Sequence, residues 1–192
     1  NIAQFGGQDA NIPVLVFSLE MPAEQLVLRM IAAESQVNLS ELNTGTFDTN
    51  SFGDVRTACD VLAKREIYIS DDSMLTALDF RTRCRRFKTK HPELGLIIVD
   101  YLQLMSSGTP NINNGRQQEV AEISRMLKAV ARELNCPVVA LSQLSRAAEQ
   151  RTEKKPQLSD LRDSGAIEQD ADVVILLFRE DYYSDTEQND EQ

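Results

Sequence analysis

No apolar run in this sequence approaches the roughly 20 residues needed to span a bilayer, and nothing in it reads as a signal peptide. Histidine occurs once, at His91, and cysteine three times, at Cys59, Cys84 and Cys136, with no C-x-x-C pair. A Cys/His zinc site therefore lacks ligands. Cys84 and Cys136 lie beside apolar positions, which predicts buried free thiols in a reducing cytoplasm. No Gly-Lys pair occurs either, so the phosphate-cradling loop G-x-x-x-x-G-K-[ST] is missing. Gly6-Gly7, with no lysine behind it, reads as a turn.

What is present suits one well-buried domain: 192 residues, 42% of them hydrophobic, are short for two. The net charge of −10 argues at face value against nucleic acid as a partner. Residues 180–192, however, hold six acids and no base, leaving 24 acids against 20 bases, a net −4, over the first 179 residues. That tail is expected to be a solvated, disordered segment, so the overall sign says little about what the folded part binds.

Short apolar runs alternate with helical patterns. "IPVLVFSLE" (12–20) is continuous rather than alternating, as for a strand covered on both faces. Pro22 suits the first turn of a helix whose Leu26, Val27, Met30 and Ile31 form a buried stripe. A second helix fits residues 51–64 through Phe52, Val55, Cys59 and Leu62, and "IYIS" (67–70) is a strand. Thr76-Ala77-Leu78-Asp79 forms a capping box opening a helix to about Lys90. "LGLIIVDYLQLM" (94–105) carries a strand that ends on Asp100, followed by a polar loop (106–115) and a helix from Arg116 to Asn135 with Val120, Ile123, Leu127, Val130 and Leu134 at helical spacing. "PVVALSQ" (137–143) and "VVILLF" (173–178) complete the strands, with a polar, basic loop from about Leu144 to Leu158 between them. The alternation predicts an α/β fold, a mostly parallel sheet with helices on both faces.

Three strands end in polar residues, at Glu20, Asp100 and Ser142-Gln143. In a parallel sheet those ends share one edge, where α/β proteins place their chemistry. Each has a plain structural explanation: a helix cap for Glu20, a turn for Asp100, a surface amide for Gln143. Together they suit nucleotide hydrolysis, one acid holding Mg²⁺ through water, one activating the attacking water, and an amide sensing the γ-phosphate.

"FSLEMPAEQLVLRM", "LGLIIVDYLQLM", "RQQEVAEISRMLKAVARELNCPVVALSQLSR" and "LSDLRDSGAIEQDADVV" together resemble the bacterial replicative DNA helicases, DnaB-like hexamers with a RecA-type motor domain. The resemblance covers essentially the whole chain, in order and spacing. It implies a cytoplasmic, ATP-driven motor that forms a homohexamer around single-stranded DNA, translocates 5′ to 3′, and works with primase and a helicase loader. Glu20 then matches the catalytic glutamate, Asp100 the Walker B aspartate that organises Mg²⁺, and Gln143 the glutamine coupling nucleotide state to the DNA-binding loops. Arg162, Asp163 and Gly165 match DNA-backbone contacts, although the family often has glutamate where Asp163 stands. Ser159 and Asp160 can cap a short helix there, and Gly165 permits a tight turn.

The resemblance also implies what these residues lack. The Walker A loop would lie upstream of Asn1, the lysine and arginine fingers downstream of Gln192, and the primase-binding domain elsewhere. Residues 1–192 are thus expected to be a partial RecA-like motor domain, lacking the first strand and P-loop and inactive alone. Arg146, Arg151, Lys154 and Lys155 lie on the loop leaving the functional edge, where central-channel DNA contact and mere solubility both fit. "RTRCRRFKTK" (81–90) puts six bases on one helix that should face outward, as a solvated or subunit-contacting surface. For Arg29, support of the nucleotide site and an ordinary salt bridge are both open. The alternatives are a RecA-type recombinase or related ATPase, and a truncated, non-catalytic module that binds DNA or a partner.

Overall fold

The computed structural model describes residues 12–46, 48–108, 115–145, 151 and 155–179, with the side chains of residues 50 and 162–164 outside that description. The acidic segment 180–192 also lies outside it. Four strands, β1 (Val14–Ser18), β2 (Ile67–Ser70), β3 (Leu96–Asp100) and β4 (Val138–Ala140), form one sheet in the order β2-β1-β3-β4. All three pairings are parallel. β1 is buried along its full length, as its unbroken apolar run requires of a strand covered on both faces.

Side chains alternate across the pleat and serve two unequal cores. Leu15 and Phe17 of β1, with Ile97 and Val99 of β3, face the larger one. Helices α4 (Ala77–Lys90) and α5 (Arg116–Leu134) complete it with Phe80 and Cys84 from one and Val120, Ile123, Leu127 and Val130 from the other. Phe17 and Phe80 meet at a ring-centroid distance of 5.0 Å. On the opposite face Val14, Val16 and Leu96 form a small cluster against Leu26 of α1 (Ala23–Ser35). Helices α2 (Leu39–Thr44) and α3 (Thr49–Ala63) follow α1, and α3 packs on α1. Helices thus cover both faces of a parallel sheet.

Local signals account for the helix ends. The Thr76 hydroxyl accepts from the Asp79 N–H at 3.1 Å and bonds its carboxylate at 2.6 Å, and α4 stops at Lys90 as expected. Four of the apolar α5 positions inferred from helical spacing are buried. The stripes of α1 and α3 are another matter. Leu26, Met30 and Ile31 are only half-buried and Val27 is exposed, because α1 caps a three-residue cluster rather than a deep core. On α3, Phe52 is 61% exposed and Cys59 is exposed, while Ala58 faces inward.

The expected last strand does not form. Residues 173–178 take no regular secondary structure, with Val173, Ile175 and Leu177 76%, 78% and 83% exposed. A strand needs a neighbour for its N–H and C=O groups, and the four-stranded sheet of the described residues does not include this segment. Among the described residues strand β4 pairs only with β3, and it ends at Ala140, three residues short of Gln143.

Cys84 and Cys136 are buried and Cys59 is exposed. Burial, with Cys136 nearby, pushes the Cys84 thiol up to about 12. A maleimide should therefore label Cys59 alone in the native protein and all three thiols in denaturant, as counted by mass spectrometry; native labelling of Cys84 would contradict this packing.

Candidate functional site at the carboxyl edge of the sheet

The parallel register decides which residues meet. Ser18 lies opposite Asp100, and the Leu19 N–H donates to the Asp100 carbonyl at 2.8 Å. The chain then turns sharply, the Ser18 hydroxyl donating to the Met21 carbonyl at 2.7 Å. Leu19 is buried in the larger core, so Glu20 is directed outward and is exposed. Pro22 begins α1 with no side-chain cap of its own. The carboxylate of Asp71, one residue beyond β2, supplies that cap by accepting from the Ala23 N–H at 3.0 Å. Three adjacent strands therefore hold the turn that carries Glu20.

Asp100 is half-buried at the end of β3. Burial raises its pKa, the Glu20 carboxylate raises it further, and Arg29 on α1 opposes both. Glu20, Asp100 and Arg29 are thus one electrostatic group.

After Asp100 a 3-10 turn (Leu102–Leu104) leads to the loop before α5. The Leu141 N–H donates to Val99 O at 2.9 Å and the Leu102 N–H to Leu141 O at 3.0 Å, continuing the ladder past β4. Gln143 follows, exposed, and its backbone is paired with the Gln103 side chain. The polar ends of β1 and β3 come together as expected, and Gln143 lies three residues past the end of the next strand over. Gln103 and Asp71 had no assigned role. The Asp71-Asp72 pair directly after "IYIS" is the sequence signal that could have found the latter.

The segment carrying "LRDSG" begins close by. The Ser145 N–H donates to Asp160 O at 3.0 Å. Asp160, 6% exposed, accepts from the Gln157 N–H at 2.7 Å and bonds Arg151, closing a capping box on the 3-10 helix Leu158–Ser164. The Gln157 N–H, and secondarily Arg151, hold the Asp160 carboxyl below its ordinary value. The cap is therefore Gln157 with Asp160, where Ser159 and Asp160 were expected. Arg151 is engaged in this clasp. Gly165 opens α6 (Gly165–Asp170) at φ −51°, an ordinary helical value, and a Cβ there would meet no described atom within 4 Å. Backbone conformation therefore does not require glycine at this position, contrary to expectation. Arg146 and the side chains of Arg162 and Asp163 lie outside the described residues.

Four of the six bases of helix α4 are engaged within the chain. Arg81 and Arg85 bond Glu133 of α5, Arg83 bonds Asp72 at 2.6 Å, and Lys88 donates to Leu94 O at 3.0 Å. Among the described residues no group of three or more His, Cys, Asp or Glu could hold a metal, and no helix is long and apolar enough to cross a membrane.

The family model for the DnaB-like helicase C-terminal domain matches residues 1–192. The replicative DNA helicase DnaB of Geobacillus stearothermophilus is 49% identical over 189 residues, 98% of this chain and 41% of that protein. The replicative DNA helicase DnaC of Bacillus subtilis (strain 168) is 48% identical over the same shares of each chain. This chain thus spans about two fifths of the length of these relatives. Two solved structures, one an ATPase domain and the other a DnaB-like replicative helicase described with its interactions with primase, superpose with TM-scores of 0.85 at 36% identity. They cover 91% of this chain, and 62% and 42% of their own.

The raised pKa of Asp100 has a consequence for stability. An acid raised in the folded state binds its proton more tightly there than in the unfolded chain. Its contribution favours folding at low pH and is lost as pH rises through the folded value. Without Mg²⁺ or nucleotide, Asp100→Asn should melt above the unsubstituted protein at pH 7, and the gap should close as pH falls below about 3.9, the ordinary aspartate value. Thermal unfolding across that range checks it; a lower melting temperature for the variant at pH 7 would contradict it.

Proposed function

This chain belongs to the DnaB-like helicase C-terminal domain family, and from that premise we propose that its parent is a replicative helicase driven by ATP hydrolysis. Residues 1–192 are part of its RecA-like motor domain. Six copies encircle single-stranded DNA in the cytoplasm, translocate 5′ to 3′ and unwind the duplex at the fork, alongside primase and a helicase loader. The observation that carries this reading is the meeting of Glu20 and Asp100 at one sheet edge, coupled to each other and to Arg29.

The residues present fit a Mg²⁺ ion. Mg²⁺ keeps several waters and takes only one or two carboxylates besides substrate phosphates, so a three-ligand cluster is not needed. Asp100, whose ionised form is disfavoured by burial and by Glu20, is an acid that a nearby cation relieves. Asp100 would hold Mg²⁺ through water, and the ion when bound neutralises charge on the β- and γ-phosphates. Glu20, exposed on its three-way-tied turn, orients the attacking water and takes its proton. Arg29 offsets the negative charge on the α1 side. Gln143 senses the γ-phosphate from the far side of Asp100 and passes its state toward the segment that begins at Ser145.

Arg162, with Asp163 and Gly165, contacts the DNA backbone. Phosphate contacts carry no base information, which a motor travelling over every sequence requires. Arg146 and Arg151 add positive charge to the same loop, Arg151 while bonded to Asp160.

In the full-length protein Glu20→Gln should retain nucleotide affinity, since an amide still orients water, while kcat for ATP falls on the order of 10²–10⁴-fold. A steady-state ATPase assay beside a nucleotide-binding titration measures both; unwinding at the normal rate would refute the role. Arg162→Ala in the hexamer should weaken single-stranded DNA binding equally for all base compositions and flatten the log–log salt dependence by about one. Fluorescence anisotropy across a salt series reads this. Unchanged DNA affinity with loss of basal hydrolysis would instead place Arg162 at the nucleotide.

A further inference from the structure

The Gln103 carboxamide behaves as a piece of backbone. Its Nε2 donates to the Gln143 carbonyl at 3.1 Å and to the Ser142 hydroxyl at 2.9 Å, and its Oε1 accepts from the Gln143 N–H at 3.3 Å. Both backbone groups of Gln143 are thus paired by one planar side-chain group, as a neighbouring strand would pair them. The placement follows from the ladder. Beyond Asp100 the chain curls into the 3-10 turn Leu102–Leu104, so after the Leu102–Leu141 bond the main chain of β3 can no longer reach the β4 side. The Gln103 side chain takes over where the backbone leaves. Only asparagine and glutamine carry donor and acceptor on one planar end, and glutamine has the longer reach.

The Gln103 carbonyl is held from the other side. Arg116, the first residue of α5, bonds Gln103 O, donates to Met105 O at 3.3 Å and pairs with Glu119, which accepts from the Ser107 N–H at 3.0 Å. Gln103 therefore joins the Asp100 strand, the start of the loop before α5, and the Gln143 segment. Two residues past Gln143, Ser145 bonds Asp160 O in the segment that carries Arg162.

We propose that Gln103 is a positioning residue for nucleotide–DNA coupling: it fixes the Gln143 backbone to the end of the Asp100 strand, so that a change at the γ-phosphate moves the Ser145–Asp160 connection instead of being absorbed in a slack loop. This rests on the reading of Gln143 given above. Gln103 itself acts through Gln143.

The test uses the full-length hexamer with four forms: unsubstituted, Gln103→Met, Gln143→Ala and the double variant. Methionine keeps the length and flexibility of the side chain and removes donor and acceptor together. Gln103→Met should leave KM for ATP and DNA-free kcat within about twofold, while the stimulation of kcat by single-stranded DNA falls about tenfold, the loss of two to three modest hydrogen bonds. The double variant should be no worse than Gln143→Ala, because both substitutions cut the same connection. Thermal unfolding separates this from misfolding; if Gln103→Met melts well below the unsubstituted hexamer, Gln103→Glu, which keeps the acceptor for the Gln143 N–H, should recover part of the stimulation. Full stimulation in Gln103→Met beside a defective Gln143→Ala overturns this proposal alone. So do losses that multiply in the double variant, and so does a Gln103→Glu as uncoupled as a destabilised Gln103→Met. Full stimulation in Gln143→Ala overturns the reading of Gln143 first, and this proposal with it.

Discussion

The register of β1 on β3 is the constraint from which the site follows. Ser18 opposite Asp100 sets where two strands stop, and the single bond from Leu19 N–H to the Asp100 carbonyl ties the Glu20 turn to the Asp100 strand. A slip of β1 by one residue would turn Leu15 and Phe17 out of the larger core and carry Glu20 to the wrong face. Core packing thus selects the active register. The energy that holds the chemistry in place is hydrophobic and comes from beneath the edge, from Phe17, Phe80, Ile97 and Val99.

Much of this was legible in the sequence because parallel α/β folds make periodicity informative. An unbroken apolar run marked β1 as a doubly covered strand, the run ending on Asp100 marked β3 as a strand, and the spacing of Val120, Ile123, Leu127 and Val130 marked the buried face of α5. The Thr76 box showed where α4 begins because a cap is a local device, decided within four residues. The failures share the opposite property. Residues 173–178 have every local mark of a strand, yet a strand exists only with a neighbour to pair with. The buried stripe expected on α1 depended on how much sheet lies beneath it, and there is little.

At the site, residue types were readable and their supports were not. Glu20 and Asp100 announce themselves as acids closing apolar runs. Asp71 capping Ala23 and Gln103 pairing with Gln143 span 48 and 40 residues, and no local pattern encodes them. The pairings of Arg151 and of the basic face of α4 were no more legible: Arg81, Arg83, Arg85 and Arg151 each meet an acid of the fold, while the α4 face itself stays outward as expected.

The inequality of the two cores has a mechanical side. Local opening free energies follow the apolar contact beneath each element, and elements with the least open first. The strands of Asp100 and Glu20 both rest on the dense face between sheet, α4 and α5, whereas α1, into which Glu20 leads, lies on a three-residue cluster and its neighbour α3. Both acids are mounted on bedrock, and the helix carrying Arg29 on a sprung plate. For any motion at this edge, the compliant part is already chosen by where the leucines and phenylalanines went. It is the helix behind the glutamate that gives.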